Sequence, residues 1–300
     1  MFKFKKATKG NRKAKIALYG PSGGGKTYTS LQIASGLGQK IALVDTEGES
    51  ASLYCDDFDF DILSLETPTE NNILMVFEQI SKSDYDILII DSFSHTWHEL
   101  LAEVEQIAKR EFNGNIQAAW SKGTPKQNSL KKAILNFKKH LIVTMRSETE
   151  WVIEKNDSGK TVFRRVGLKP IQGKQLEFEF DVFAHITTDH ELIIEKSRYK
   201  DFQDQIIAKP DKKFGESLLT WLHLNPESQP ELTLEPQPGS INIRFQKYLS
   251  NKNIITKEQL INFAKEYGLS SEKPEELERL LANTDELNEM IKVFLEVQAA

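Results

Sequence analysis

Residues 15–27 read KIALYGPSGGGKT, an order that few local structures satisfy. Lys15–Tyr19 is a mostly apolar, β-prone run stopped by Gly20, which predicts a buried strand. From Lys26 to about Leu37 the residues suit a helix, and Gly38 is a suitable stop. The spacing between them is Gly20-x4-Gly25-Lys26-Thr27. Glycines let backbone N–H groups turn inward, and a helix start adds a favourable dipole, so the segment is a cradle for phosphate. A lysine at this place reaches the β- and γ-phosphates of a nucleoside triphosphate, and the following hydroxyl ligates Mg²⁺. The expected ligand is ATP with Mg²⁺. The expected contacts are Gly20, Pro21, Ser22, Gly23, Gly24, Gly25, Lys26, Thr27 and Tyr28. A glycine-rich turn formed by chance is the competing reading, and the flanking strand and helix argue against it.

The segments that follow alternate in type. Lys40–Asp45, Phe60–Leu65, Ile87–Asp91 and His140–Met145 read as strands. Thr69–Ser81 reads as a helix with Ile73, Val76, Phe77 and Ile80 on one face. Apolar strands alternating with helices predict an α/β fold, a mostly parallel sheet with helices on both faces. Two later pairs, Glu150–Glu154 with Lys160–Val166 and Val182–Thr187 with Leu192–Lys196, flank turn residues and predict antiparallel additions. Phe214–Leu224 reads as a closing helix. The expected domains are a core over 1–224, a linker over 225–239 and a helical module over 240–300. The linker carries Pro226, Pro230, Pro236 and Pro238. The module has a capping-box pattern at Thr256–Gln259, a helix-start Pro274, and a stripe of Leu260, Phe263 and Ala264 that reads as core.

Composition narrows the class. The 300-residue chain has a net charge of −5, which excludes a globally basic polyanion binder. Basic residues nevertheless cluster. Residues 1–15 hold seven cations and no acid, and residues 155–174 hold Lys155, Lys160, Arg164, Arg165, Lys169 and Lys174 against Asp157. Local clusters are what a polyanion meets. No apolar run reaches the length of a membrane span, and the N-terminal residues lack the apolar centre of a signal peptide. Cys55 is the single cysteine, so no intrachain disulfide forms, and a cytoplasmic setting is expected.

Acids at strand ends supply the rest of the site. Asp91 closes the strand Ile87–Ile90, at the sheet edge where ligands bind, and is expected to support Mg²⁺. Glu47 follows the strand ending at Asp45, where it can orient water for in-line attack; a solvated turn acid is the alternative. Lys196 and Arg198, at i and i+2 on a strand, share a face. They suit a γ-phosphate contacted in trans, or a solvated strand face.

These elements resemble the RecA-like ATPases. The resemblance lies in the phosphate loop, in Leu43–Glu47, in Asp91-Ser92 and in Glu195–Arg198. It implies that Glu47 activates water, that Tyr54 lies against adenine, and that Lys196 and Arg198 reach a neighbour's ATP. The active form is then a homo-oligomer, a ring or a filament. Thr144–Ser147, Val166–Pro170 and Glu177–Asp181 are similar to segments of phage and prophage AAA-type ATPases, some of which are single-strand-annealing recombinases. The similarity covers about residues 3–205 and not the helical module. RecA carries a glutamine at the end of the strand matching 140–145, coupling γ-phosphate to DNA; Arg146 stands nearest here and would sense phosphate by charge.

The resemblance also implies single-stranded DNA at the 146–174 region, in recombination, annealing or replication. There Trp151 and Phe163 could stack on bases; two packing aromatics on a solvated hairpin are the alternative. Trp120–Gly123 reads as a loop whose Trp belongs to local core. His95 and His98 read as the start of a surface helix, not a metal site. Two other functions stay open. One is a nucleotide-switched module that recruits a protein partner through the C-terminal helices with negligible turnover. The other is a small-molecule phosphotransferase, for which no acceptor site or lid is visible.

Overall fold

The structure, a computed structural model, describes residues 12–155, 161–223, 249, 257–269, 279–281 and 283–299. The chain divides into two units, one of Met1–Asp204 with Lys209–Leu232 and one of Gln205–Ala208 with Thr233–Ala300.

The first unit is built on strands β1 (Lys15–Gly20), β2 (Ile41–Asp45), β3 (Asp61–Ser64), β4 (Ile87–Asp91), β5 (His140–Lys155), β6 (Thr161–Pro170), β7 (Val182–Ile186) and β8 (Glu191–Ser197). Within the sheet these run β3-β2-β4-β5-β1-β7-β8, with β6 paired to β5 alone. Pairing is parallel from β3 through β7 and antiparallel for β7–β8 and β5–β6. Strands β1, β2 and β4 are buried along their whole length, which is why their sequences are near-continuous apolar runs. The fold is therefore the expected α/β class with antiparallel additions.

Helices α1 (Lys26–Leu37), α2 (Glu70–Lys82), α3 (Phe93–Glu111), α4 (Ile116–Asn136) and α5 (Lys212–His223) cover the sheet. In α2 the buried residues are Ile73, Val76, Phe77 and Ile80, and Thr69 caps the helix by accepting from the Asn72 N–H at 3.3 Å. Gly36 and Gly215 let α1 and α5 meet backbone to backbone, since a Cβ at either would collide with the other helix.

Three expectations are corrected. Trp120–Gly123 is not a loop but the second turn of α4, where Trp120 stacks on Trp97 at 5.7 Å in a satellite core with Leu100, Val104 and Ile107. Gly123 is required there because a Cβ would strike Val104 and Trp120. Strand β5 does not stop at Met145. It continues to Lys155 as one leg of a hairpin, with a bulge between Glu150 and Trp151. Strand β8 ends at Ser197, so Arg198 lies one residue past it.

The second unit contains α6 (Lys257–Glu266) and α7 (Thr284–Ala299). Its core joins Leu249, Phe263, Leu280, Leu287, Ile291 and Phe294, with the Phe263 and Phe294 rings edge to face at 5.2 Å. Phe263 is thus core, as the helical stripe predicts. The linker at 225–239 and the caps at Thr256 and Pro274 lie outside the described residues.

Candidate nucleotide site

Strand β1 delivers the loop Pro21–Gly25, and α1 starts at once after it. Gly25, the residue before α1, has φ 83°, and Gly23 has φ 77°. Both lie in the left-handed region that only glycine enters without strain. Gly20 is constrained differently: a Cβ there would collide with the Ile186 carbonyl of β7.

Lys26 Nζ donates to Gly20 O at 3.2 Å and to Pro21 O at 2.9 Å, so the ammonium lies folded over its own loop. Burial lowers its pKa, while Glu47 and Asp91 act to raise it. The Thr27 hydroxyl donates to Asp91 Oδ2 at 2.5 Å, and the Thr144 hydroxyl donates to Oδ1. Asp91 is 1% exposed, and burial pushes its carboxyl upward against those two hydrogen bonds. The parallel register sets this convergence: β5 lies between β1 and β4, so Thr144 stands beside Leu18 of β1 in the row that reaches Asp91.

Glu47 faces the same cleft. Asp45, also 1% exposed, shapes its turn by accepting from Glu47 N–H at 2.6 Å and Ala51 N–H at 2.9 Å. The Glu47 carboxylate accepts from Arg146 Nε at 2.9 Å. Arg146 pairs in register with Gly20 at the end of β1, which places it at the foot of the phosphate loop. His95, expected on a plain helix surface, is instead half-buried, with Nδ1 2.7 Å from the Thr46 hydroxyl. It braces the turn that carries Glu47, and no spacing in the sequence announces that.

The cleft has a volume of about 630 Å³ and reaches from Ser22, Lys26 and Glu47 to an aromatic end. There Tyr28 meets Tyr54 at 5.7 Å and Phe58 at 5.2 Å, both edge to face. His190, Lys209, Pro210 and Asp211 close the cleft from a distant part of the chain. His190 Nδ1 lies 3.2 Å from Gly24 O. The sequence marks this histidine only as a turn residue.

Lys196 and Arg198 are not brought to this cleft. Lys196 Nζ donates to the carbonyls of Glu177 (2.8 Å), Phe178 (3.1 Å) and Phe180 (2.8 Å), and Arg198 Nε pairs with Asp181 at 3.2 Å. Both have partners within the chain that a contact in trans would have to displace.

The hairpin region is mixed in charge. The side chains of Trp151, Phe163, Lys155, Lys160, Arg164 and Arg165 lie outside the described residues. At its root, Lys169 pairs with Glu148 at 3.3 Å. A second cavity of about 960 Å³ opens there, lined by Trp97, Trp120, Glu148, Glu150 and Glu195 among others. Glu195 accepts from the Tyr19 hydroxyl at 2.7 Å. Among the described residues no three His, Cys, Asp or Glu side chains converge as metal ligands.

A protein-family model described as AAA domain matches residues 12–215. The chain belongs to this AAA domain family. The match spans the phosphate loop, both strand-end acids and the hairpin, and ends within α5. With the strand order, it supports a RecA-like P-loop ATPase class for the first unit. Among solved structures, this AAA-family chain is similar to one titled crystal structure of the RadB recombinase. Identity is 17%, coverage is 62% of this chain and 81% of that one, and the TM-score is 0.37. No curated protein was found to match. No helix among the described residues is long and apolar enough to cross a membrane.

Proposed function

We propose that this chain binds ATP with Mg²⁺ and hydrolyses it. The observation that carries this reading is the Thr27–Asp91 hydrogen bond at 2.5 Å beneath a loop whose glycines hold left-handed backbone. A hydroxyl and a buried carboxylate meeting at the start of a helix form the donor set that a nucleotide-bound Mg²⁺ takes. When bound, the metal neutralises charge on the β- and γ-phosphate oxygens. Thr27 and Asp91 would hold it, the latter through water. Loop N–H groups bind phosphate, and Lys26 exchanges its two carbonyl partners for phosphate oxygen. Glu47 orients the attacking water and accepts its proton. Tyr54 and Tyr28 supply faces and edges for the base.

The finer part of the proposal is action on single-stranded DNA in recombination, annealing or replication, in a phage or prophage setting, by a homo-oligomer. Its support is the hairpin of β5 and β6, which leaves the carboxyl end of a central strand next to Arg146, and the basic residues of 155–174. Hydrolysis with and without single-stranded DNA, beside a Glu47→Gln control, tests both parts. Stimulation lost in the control supports the whole. Hydrolysis without stimulation keeps the ATPase and removes the DNA.

The Glu47–Arg146 pair favours a second reading. In this reading Arg146 keeps its hold on Glu47 when nucleotide binds, so water is not activated and the nucleotide switches assembly and partner recruitment with little turnover. Nucleotide-dependent assembly with hydrolysis near background would select this reading.

A further inference from the structure

Thr46 lies between the acids of the cleft, and its hydroxyl is shared. Its N–H donates to Asp91 O at 2.8 Å. Its hydroxyl oxygen accepts from Ser92 N–H at 2.9 Å and stands 3.0 Å from Ser92 O and 2.7 Å from His95 Nδ1. A threonine hydroxyl has one proton to give. When His95 is neutral with its proton on Nε2, Nδ1 accepts that proton. When His95 is doubly protonated, Nδ1 donates and the Thr46 proton turns to Ser92 O. In both cases the turn that carries Glu47 is tied to the first turn of α3.

The neighbouring residue ties the opposite wall. Ser94 Oγ donates to Ile171 O at 2.7 Å and accepts from Arg146 N–H at 3.0 Å. Ile171 N–H donates to Arg146 O at 2.8 Å, joining the two legs of the hairpin at its root. A single helical turn therefore sets the backbone on both sides of the Glu47–Arg146 pair.

The geometry points to His95 as a positioning residue for Glu47, acting through the Thr46 hydroxyl, with Ser94 setting Arg146 in the same frame. This rests on the proposed role of Glu47 in water activation. A group that must direct water in line tolerates little displacement, so loosening its turn lowers turnover more than binding. His95 faces Glu47 from the turn after β2, Arg146 from β5 and His98 from its own helix. Burial, then Arg146, lower its pKa, which favours the neutral ring.

The test is steady-state ATP hydrolysis and binding of a fluorescent, non-hydrolysable ATP analogue, for Lys26→Ala, His95→Ala, His95→Gln, Thr46→Val and the His95→Ala/Thr46→Val pair. His95→Ala should lower kcat by about tenfold or more, with KM and analogue affinity within about twofold of wild type. His95→Gln, whose amide both donates and accepts, should recover most of the loss. Thr46→Val also removes the acceptor of the Ser92 N–H, so its loss should equal or exceed that of His95→Ala, and the pair should be no worse than Thr46→Val alone, because the two changes share one link. A kcat for His95→Ala within twofold of wild type, additive losses, or no recovery in His95→Gln would each overturn the assignment. Lys26→Ala separates the two failures. If it hydrolyses ATP like wild type, the reading of the cleft has failed and the role of His95 fails with it.

Discussion

The Thr27 hydroxyl donates to Asp91 Oδ2 at 2.5 Å while Thr144 holds the other oxygen from the strand alongside. The carboxylate is thus fixed by hydroxyls alone, with no cation within hydrogen-bond reach among the described residues, and burial raises its pKa. A group whose folded-state pKa is raised binds its proton more tightly when folded, so its contribution to stability declines as pH rises through that value. At neutral pH the charge is a cost. Asp91→Asn keeps an acceptor and the shape and removes the charge. It should raise the melting temperature of the free protein by about 2–4 °C, the effect of about 1 kcal/mol in a domain of this size. It should also abolish the Mg²⁺-dependent part of stabilisation by ATP. Thermal melts with and without MgATP check both halves.

Lys26→Ala and Glu47→Gln should separate binding from chemistry. Loss of the ammonium that reaches phosphate should lower hydrolysis by about 100-fold or more and remove the thermal shift by ATP. Glu47→Gln should keep the thermal shift and lose about 10²- to 10⁴-fold in kcat, the usual contribution of a positioned base. A matched pair of melting and rate measurements reads the difference.

Tyr54 forms one side of an aromatic corner with Tyr28. Tyr54→Ala should weaken ATP binding about 5- to 10-fold, about 1 kcal/mol, while leaving kcat at saturation nearly unchanged. Titration of a fluorescent ATP analogue measures it.

His140 gives the fold an acid-sensitive joint away from the cleft. Its Nδ1 accepts from the Ala14 N–H at 3.1 Å, and the ring is 1% exposed. Burial, with nearby Lys13 and Lys15, lowers its pKa to about 3. Since the unfolded chain takes up this proton near pH 6.5 and the folded chain does not, stability is lost as pH falls from about 6.5 towards 3, by roughly 1.4 kcal/mol per unit. His140→Gln, which can still accept from Ala14, should flatten this slope. Urea denaturation at pH 7.0 and 5.5 for both proteins isolates the difference.

Elements that the sequence announces are those whose side chains answer to a local rule. Strand β4 is an unbroken apolar run because both its faces are covered, and α2 shows its buried stripe at helical spacing. Helices α3 and α4 answer to each other instead. Their shared core is small, Pro125 sits inside α4, and Gly123 stands where the helices meet, so the local signals read as a loop. The phosphate loop and the strand-end acids Asp91 and Glu47 could be placed because a strand end fixes where a residue stands. His95 and His190 could not. Each is placed by tertiary packing, His95 across to Thr46 and His190 back to Gly24 in the cleft, and neither contact leaves a spacing to find. Lys196 shows the converse: its three carbonyl partners lie in residues 177–180, which no periodicity connects to it.

Strand β5 runs from the middle of the sheet into the hairpin as one strand, with parallel neighbours up to Arg146 and an antiparallel one from Ser147. The arm and the beam are one piece of backbone. In the proposed reading, a pull on the hairpin would travel along that backbone to Arg146, which stands beside Gly20 and pairs with Glu47. Load on the arm would then tip the same balance that nucleotide sets at the other end.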